Sequence, residues 1–154
     1  MKDAKHGRLR ISILALAFSA SALCQADAAG QLENGDLYIP AGEISEKAVF
    51  YPVDADGTKM EVFAVKAPDG TIRTAFNTCQ VCFDSGSGYY VQEGSVFVCQ
   101  NCGNRFRVRD IEIVKGGCNP VPIMAANKTV TEDGITIPKS FLLQAKRIFA
   151  RWKT

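Results

Sequence analysis

The chain has 154 residues, with 18 Lys and Arg against 16 Asp and Glu, one His and six Cys. A hydrophobic share of 47% and a charged share of 22% belong to a folded globule, so an intrinsically disordered chain and two large domains are both excluded. The basic excess lies in residues 1–28, whose removal takes away four Lys/Arg and two Asp/Glu and leaves 14 of each. The near-neutral remainder carries no footprint for nucleic acid.

Residues 1–28 read as a secretory signal peptide. Lys2, Lys5, Arg8 and Arg10 form a basic start, residues 11–23 an apolar run, and Ala26-Asp27-Ala28 a small-residue cleavage site. The run is too short for a comfortable transmembrane span. Cleavage after Ala28 is expected, with a periplasmic or other extracytoplasmic location. An uncleaved anchor and a lipidated Cys24 are less favoured alternatives, since Leu23 is bulkier than the residue that normally precedes a lipidated cysteine. Cleavage removes His6, the only histidine. That excludes His-ligated zinc or copper, a Rieske-type centre and histidine acid–base catalysis in the mature chain. It also leaves five cysteines, an odd number that disulfides alone cannot consume.

Residues 29–45 mix Gly, Asn, Asp and Pro40 without periodicity and are expected to be a flexible lead-in. Residues 46–154 are expected to form the cysteine-rich domain. A short strand over 49–53, the turn Asp54-Ala55-Asp56-Gly57, a strand over 60–67 and a return strand over 71–77 make an antiparallel start. In the second of these Met60, Val62 and Ala64 share one face while Phe63, Val65 and Ala67 share the other, so it should be buried on both. The return strand delivers Cys79. After a polar loop, strands near 89–92 and 95–98 deliver Cys99 and Cys102. Phe106, Val108, Ile111, Ile113 and Val114 are expected to pack around the cysteines, and Tyr89 and Tyr90 to pack in the core or at its rim. Arg105, Arg107 and Arg109 alternate and should share a solvated face. A last hairpin (129–131 with 135–137) precedes a helix from Pro138 to about Trp152. Phe141, Leu142, Ala145, Ile148, Phe149 and Trp152 give that helix one apolar face, expected to pack on the sheet, with docking at a membrane as the alternative.

The chemistry concentrates in Cys79-Gln80-Val81-Cys82 and Cys99-Gln100-Asn101-Cys102-Gly103, sixteen residues apart, followed by Gly116-Gly117-Cys118-Asn119-Pro120. Two CxxC pairs at this separation are the pattern of a tetrahedral thiolate site, and each pair sits where a strand ends and the chain turns. Thiolate donors select zinc, iron or copper(I). Two readings compete: a pair of disulfides stapling a small exported domain, and a redox dithiol exchanging disulfides. Cys118 is a fifth ligand, a replacement ligand during metal transfer, or a buried thiol. No hydrolytic triad, phosphate-cradling loop or carboxylate pair is present, so an enzyme is not expected. The fold implied is mostly β, a small α+β domain of ribbon-like or Rieske-like build with two strand-end knuckles and a C-terminal helix.

Residues 62–123 resemble the FtrD-like family of predicted iron–sulfur-containing membrane proteins. The resemblance rests on Phe76-Asn77-Thr78-Cys79-Gln80-Val81-Cys82, Gly88-Tyr89-Tyr90, Gln92-Glu93-Gly94, Cys99-Gln100-Asn101-Cys102-Gly103, Arg105-Phe106 and Lys115-Gly116-Gly117-Cys118-Asn119-Pro120. It implies Cys79, Cys82, Cys99, Cys102 and Cys118 as metal ligands, and iron, as an ion or an iron–sulfur cluster, as cofactor. It further implies work in bacterial iron uptake beside a membrane iron permease or periplasmic iron-binding proteins, handling metal or electrons. Larger members are integral membrane proteins, so this chain is similar to their extracytoplasmic part alone.

Overall fold

The computed structural model describes residues 30–32 and 34–154. The expected signal segment, with His6, Cys24 and the expected cleavage site, lies outside the described residues.

The longest strands form the middle of the structure. β3 (Val49–Ala55), β4 (Thr58–Lys66) and β5 (Ile72–Cys79) run as an antiparallel meander, and the short β9 (Pro120–Pro122) adds to the free edge of β5. Turn chemistry sets the two hairpins. Asp54 accepts from the Gly57 N–H at 2.7 Å in the first. In the second, Asp69 accepts from both the backbone and the hydroxyl of Thr71, at 3.0 and 2.6 Å. Along β4, Met60, Val62 and Ala64 enter one apolar cluster, and Phe63, Val65 and nearby Ala67 enter a second on the opposite face. The expected two-sided burial is therefore observed, and this sheet divides two cores.

The first core is closed by a second sheet in the order β1 (Gly30–Gln31), β2 (Leu37–Pro40), β11 (Gly134–Ile137), β10 (Thr129–Val130). β2 corrects the expectation of a flexible lead-in over 29–45. Leu37 and Ile39 are fully buried, and β2 pairs along its whole length with β11 nearly a hundred residues away. Two inward side chains are too short a run to show periodicity, and Pro40 and its polar neighbours disguise them. Ile39→Ala is expected to cost about 2–5 kcal/mol, the range for truncating a buried aliphatic side chain, measured by urea unfolding.

The C-terminal segment covers the same core. The helix is shorter than expected: α1 spans Lys139–Gln144, and the chain continues as a 3-10 turn over Lys146–Phe149. The tighter winding lets Phe149 meet Phe76 edge-on, with ring centroids 5.7 Å apart, and lets the Trp152 indole N–H reach the Asn77 carbonyl at 2.7 Å. Leu142, Ala145 and Phe149 are buried, and Phe141, Ile148 and Trp152 pack against them. The apolar face thus packs mainly on the first core, as expected. Among the described residues no helix is long and apolar enough to cross a membrane.

The second core lies between the central sheet and a three-stranded sheet of β6 (Tyr90–Glu93), β7 (Val96–Cys99) and β8 (Arg105–Arg107). Phe63 and Phe97 stack across it with centroids 4.4 Å apart. Phe106, Val108 and Ile111 join it as expected, but Ile113 and Val114 are exposed. Arg105, Arg107 and Arg109 are all exposed, and all three pair with nearby carboxylates: Arg105 with Glu93, Arg107 and Arg109 with Asp110. Such exposed pairs contribute little to stability. All five described cysteines lie at one end of this second core.

Candidate metal centre

Three chain segments deliver the sulfurs. Cys79 ends β5, where the register with β9 shifts between Phe76 and Cys79, an irregularity that bends the strand end toward the site. Its N–H donates to the Gly88 carbonyl at 2.7 Å. Cys82 leads into a 3-10 turn over Phe83–Ser85, and its carbonyl accepts from the Ser85 hydroxyl at 2.7 Å. Cys99 ends β7, and the chain reverses there. Cys99 N–H donates to the Asn104 carbonyl and Gly103 N–H to the Cys99 carbonyl, each at 2.9 Å, with Gly103 at φ 72°, where glycine carries no steric penalty. Neither pair opens an α-helix, the setting that activates the attacking cysteine of a disulfide exchanger.

The third segment brings Cys118, through Gly116 and Gly117 with φ of 83° and 76°. It is held from both knuckles. Gln80 donates from its backbone N–H to the Asn119 carbonyl at 2.9 Å and from its amide to the Pro120 carbonyl at 3.1 Å, and it accepts from the Gly116 N–H. Asn104, just past the second knuckle, donates to the Cys118 carbonyl at 2.6 Å.

The outcome is a cluster of five sulfurs with Cys118 in the middle. Cys118 Sγ lies 3.2 Å from Cys79 Sγ, 3.7 Å from Cys82 Sγ and 2.8 Å from Cys102 Sγ. The sulfurs of Cys79, Cys82, Cys99 and Cys118 all lie within 4.8 Å of one another. No disulfide joins the five. Cys79 and Cys99 are buried, Cys82 and Cys118 half-buried, and Cys102 exposed. The sequence pattern made Cys118 the odd sulfur, whereas the geometry puts it at the centre and leaves Cys102 at the rim.

Tyr90 completes the inner wall. It is buried, its N–H donates to the Asn77 side-chain carbonyl at 2.7 Å, and its hydroxyl stands 3.9 Å from Cys118 Sγ. Burial raises the Tyr90 phenol, so it stays a hydrogen-bond donor to sulfur. For Cys79 burial opposes ionisation, but hydrogen bonds from Tyr90 and from the N–H groups of Cys82 and Val81 win, and the thiol is lowered. Burial pushes Cys82 up to about 11 and raises Cys99 and Cys118 as well. Cys102 is lowered to about 7 by its hydrogen bonds with Cys118 and with the Asn104 N–H.

This donor set fits one thiolate-bound ion. A metal–sulfur bond of about 2.3 Å puts the sulfurs of a tetrahedral site about 3.8 Å apart; Cys82 and Cys118 stand at that spacing, at 3.7 Å, and Cys79 and Cys118 are closer, at 3.2 Å. A cluster with bridging sulfide separates the thiolates on different irons much further, and the four close sulfurs leave no such space.

Spacing alone did not reveal the supports. Gly88 is one. A Cβ there would overlap the carbonyl of Cys82, which is backbone and cannot swing aside. Gly88→Ala is expected to displace the first knuckle and weaken metal binding by about 10-fold or more, as loss of other supporting contacts does, measured by competition with a chromophoric chelator. A second support stands just ahead of the third segment in the chain: the nearly buried Glu112, at φ 64°, accepts from Thr74 N–H at 2.5 Å, Thr74 Oγ1 at 2.9 Å and Lys128 Nζ at 2.6 Å. The only cue in the sequence was a lone acidic residue inside an apolar run.

Comparison with known proteins agrees with the motif. The family described as membrane iron-sulfur containing protein FtrD-like matches residues 44–149. The chain belongs to the FtrD-like family. The match takes in both core-dividing hairpins, all five clustered cysteines and α1, more than the motif-bearing stretch alone. Neither the curated proteins nor the solved structures give a match.

Proposed function

We propose that this FtrD-like chain is an exported domain that binds a metal ion through cysteine thiolates and handles that ion, or passes electrons through it, for an iron-transport system. The observation that carries the reading is the convergence of five sulfurs from three separate segments, with a buried tyrosine hydroxyl aimed at them. Iron is the ion the family description favours, and the sulfur donors accept zinc or copper(I) as well. The partners would be a membrane iron permease or periplasmic iron-binding proteins, as the family's association with iron uptake suggests. A chain threaded unfolded across a membrane cannot carry a prebuilt cluster, which favours an ion acquired after export.

A structural reading has one observation in its favour. Cys79 and Cys99 are fully buried within the second core, as the ligands of a zinc staple would be. Purification from periplasm without oxygen, followed by assay of metal, acid-labile sulfide and free thiols, separates the two. About one iron per chain, reversibly oxidised and released to a competing chelator, supports handling or electron delivery. Tightly held zinc that leaves only on unfolding supports the staple. No metal and one free thiol would mean two disulfides and would overturn both.

A further inference from the structure

Five sulfurs are one more than a four-coordinate thiolate site uses, and the structure distinguishes them. Cys79, Cys82, Cys99 and Cys118 form the mutually close set, and each is buried or half-buried. Cys102 falls outside that set, is exposed, and touches Cys118 at 2.8 Å. The whole lip around it, residues 100–105, is open to solvent.

We propose that the quartet Cys79, Cys82, Cys99 and Cys118 holds the ion, and that Cys102 is the exchange sulfur through which it enters and leaves. This rests on the metal-binding reading above and assigns the sulfurs within it.

Exposure and anchoring separate Cys118 from Cys102. Cys118 is fixed on both sides, its own carbonyl bonded to Asn104 and the following residue's carbonyl bonded to Gln80. Cys102 sits on an exposed turn closed by Gly103. A thiolate on such an exposed turn is open both to the ion and to an external thiolate, while the half-buried Cys118 faces the other sulfurs. Exchange is then a ligand substitution. One metal–sulfur bond forms as another breaks, no electron moves, and the proton released by the incoming thiol is taken up by the departing thiolate. The external counterpart is a soft, thiolate-bearing donor or acceptor. Val81 in the first knuckle and Ile113 and Val114 ahead of Cys118 in the chain are exposed apolar side chains, 63%, 61% and 44% accessible, on the segments that carry the sulfurs.

The test uses cobalt(II) as probe, because thiolate-to-cobalt charge-transfer bands report how many sulfurs bind. Cys102→Ser is expected to keep the wild-type spectrum and one cobalt per chain, while release to EDTA slows by about 10-fold or more, as for other outer-shell partners. Cys118→Ser is expected to lose charge-transfer intensity. The first variant decides even if the second fails to fold. A Cys102→Ser spectrum with one sulfur fewer would restore the two CxxC pairs as the ligand set and overturn the assignment. Wild-type release kinetics in that variant would overturn the exchange role. A wild-type chain that binds no cobalt would defeat the underlying metal reading instead, and the assignment with it.

Discussion

Loading the metal-free protein with ferrous iron or zinc at a thousandfold excess over its dissociation constant is expected to stabilise it by about 4 kcal/mol. For a domain of this size that raises Tm by roughly 10 °C or more, and a chelator should reverse it. The reason is connectivity. Cys79 comes from the central sheet, Cys99 and Cys102 from the three-stranded sheet, and Cys118 from the segment joining them. An ion held among them ties both sides of the second core, whereas unfolding scatters the donors, so binding energy becomes folding energy. The sign of the pH effect follows from the thiols. Cys82, Cys99 and Cys118 are all raised and hold their protons at neutral pH, and binding must displace these. The stabilisation should therefore be accompanied by proton release and shrink as the pH is lowered, measured by calorimetry in buffers of different ionisation enthalpy. A Tm indifferent to metal and chelator would mean that the sulfurs hold nothing.

Lys128→Ala is expected to cost about 3–5 kcal/mol, the usual penalty for removing one partner of a buried ion pair. Lys128 Nζ sits 2.6 Å from Glu112 and 2.8 Å from Thr74 Oγ1, and the two charged side chains are only 3% and 11% accessible. Truncation leaves the Glu112 carboxylate buried without a cation. Because Glu112 also pins the start of the segment leading to Cys118, metal affinity should fall with stability. The double variant Lys128→Met with Glu112→Gln removes both charges and should recover much of the loss in urea unfolding. If Lys128→Ala costs under about 1 kcal/mol, the pair is no anchor.

The readability of the fold depended on run length and on partners. β4 was legible because its nine residues alternate faces and fill two cores, and the two knuckles because cysteine spacing has few explanations. β2 was not, since Leu37 and Ile39 gain their meaning from β11, which the chain reaches only at Gly134. The C-terminal periodicity was real but its winding was not helical throughout: beyond Ala145 the positions of Phe149 and Trp152 are dictated by Phe76 and Asn77 across the core. In the site, the sequence singled out the five sulfurs that the fold brings together. Spacing pairs Cys99 with Cys102, but the half-buried position beside Cys79 and Cys82 goes to Cys118, whose segment Gln80 and Asn104 hold there by hydrogen bonds no motif encodes.

The most direct test of the thiolate metal centre is X-ray absorption at the edge of the ion bound to the purified protein. A first shell of about four sulfurs near about 2.3 Å, with no second metal beyond it, is the expected result. A shell of oxygen and nitrogen donors would contradict the site itself, and a short metal–metal distance would replace the single ion with a cluster.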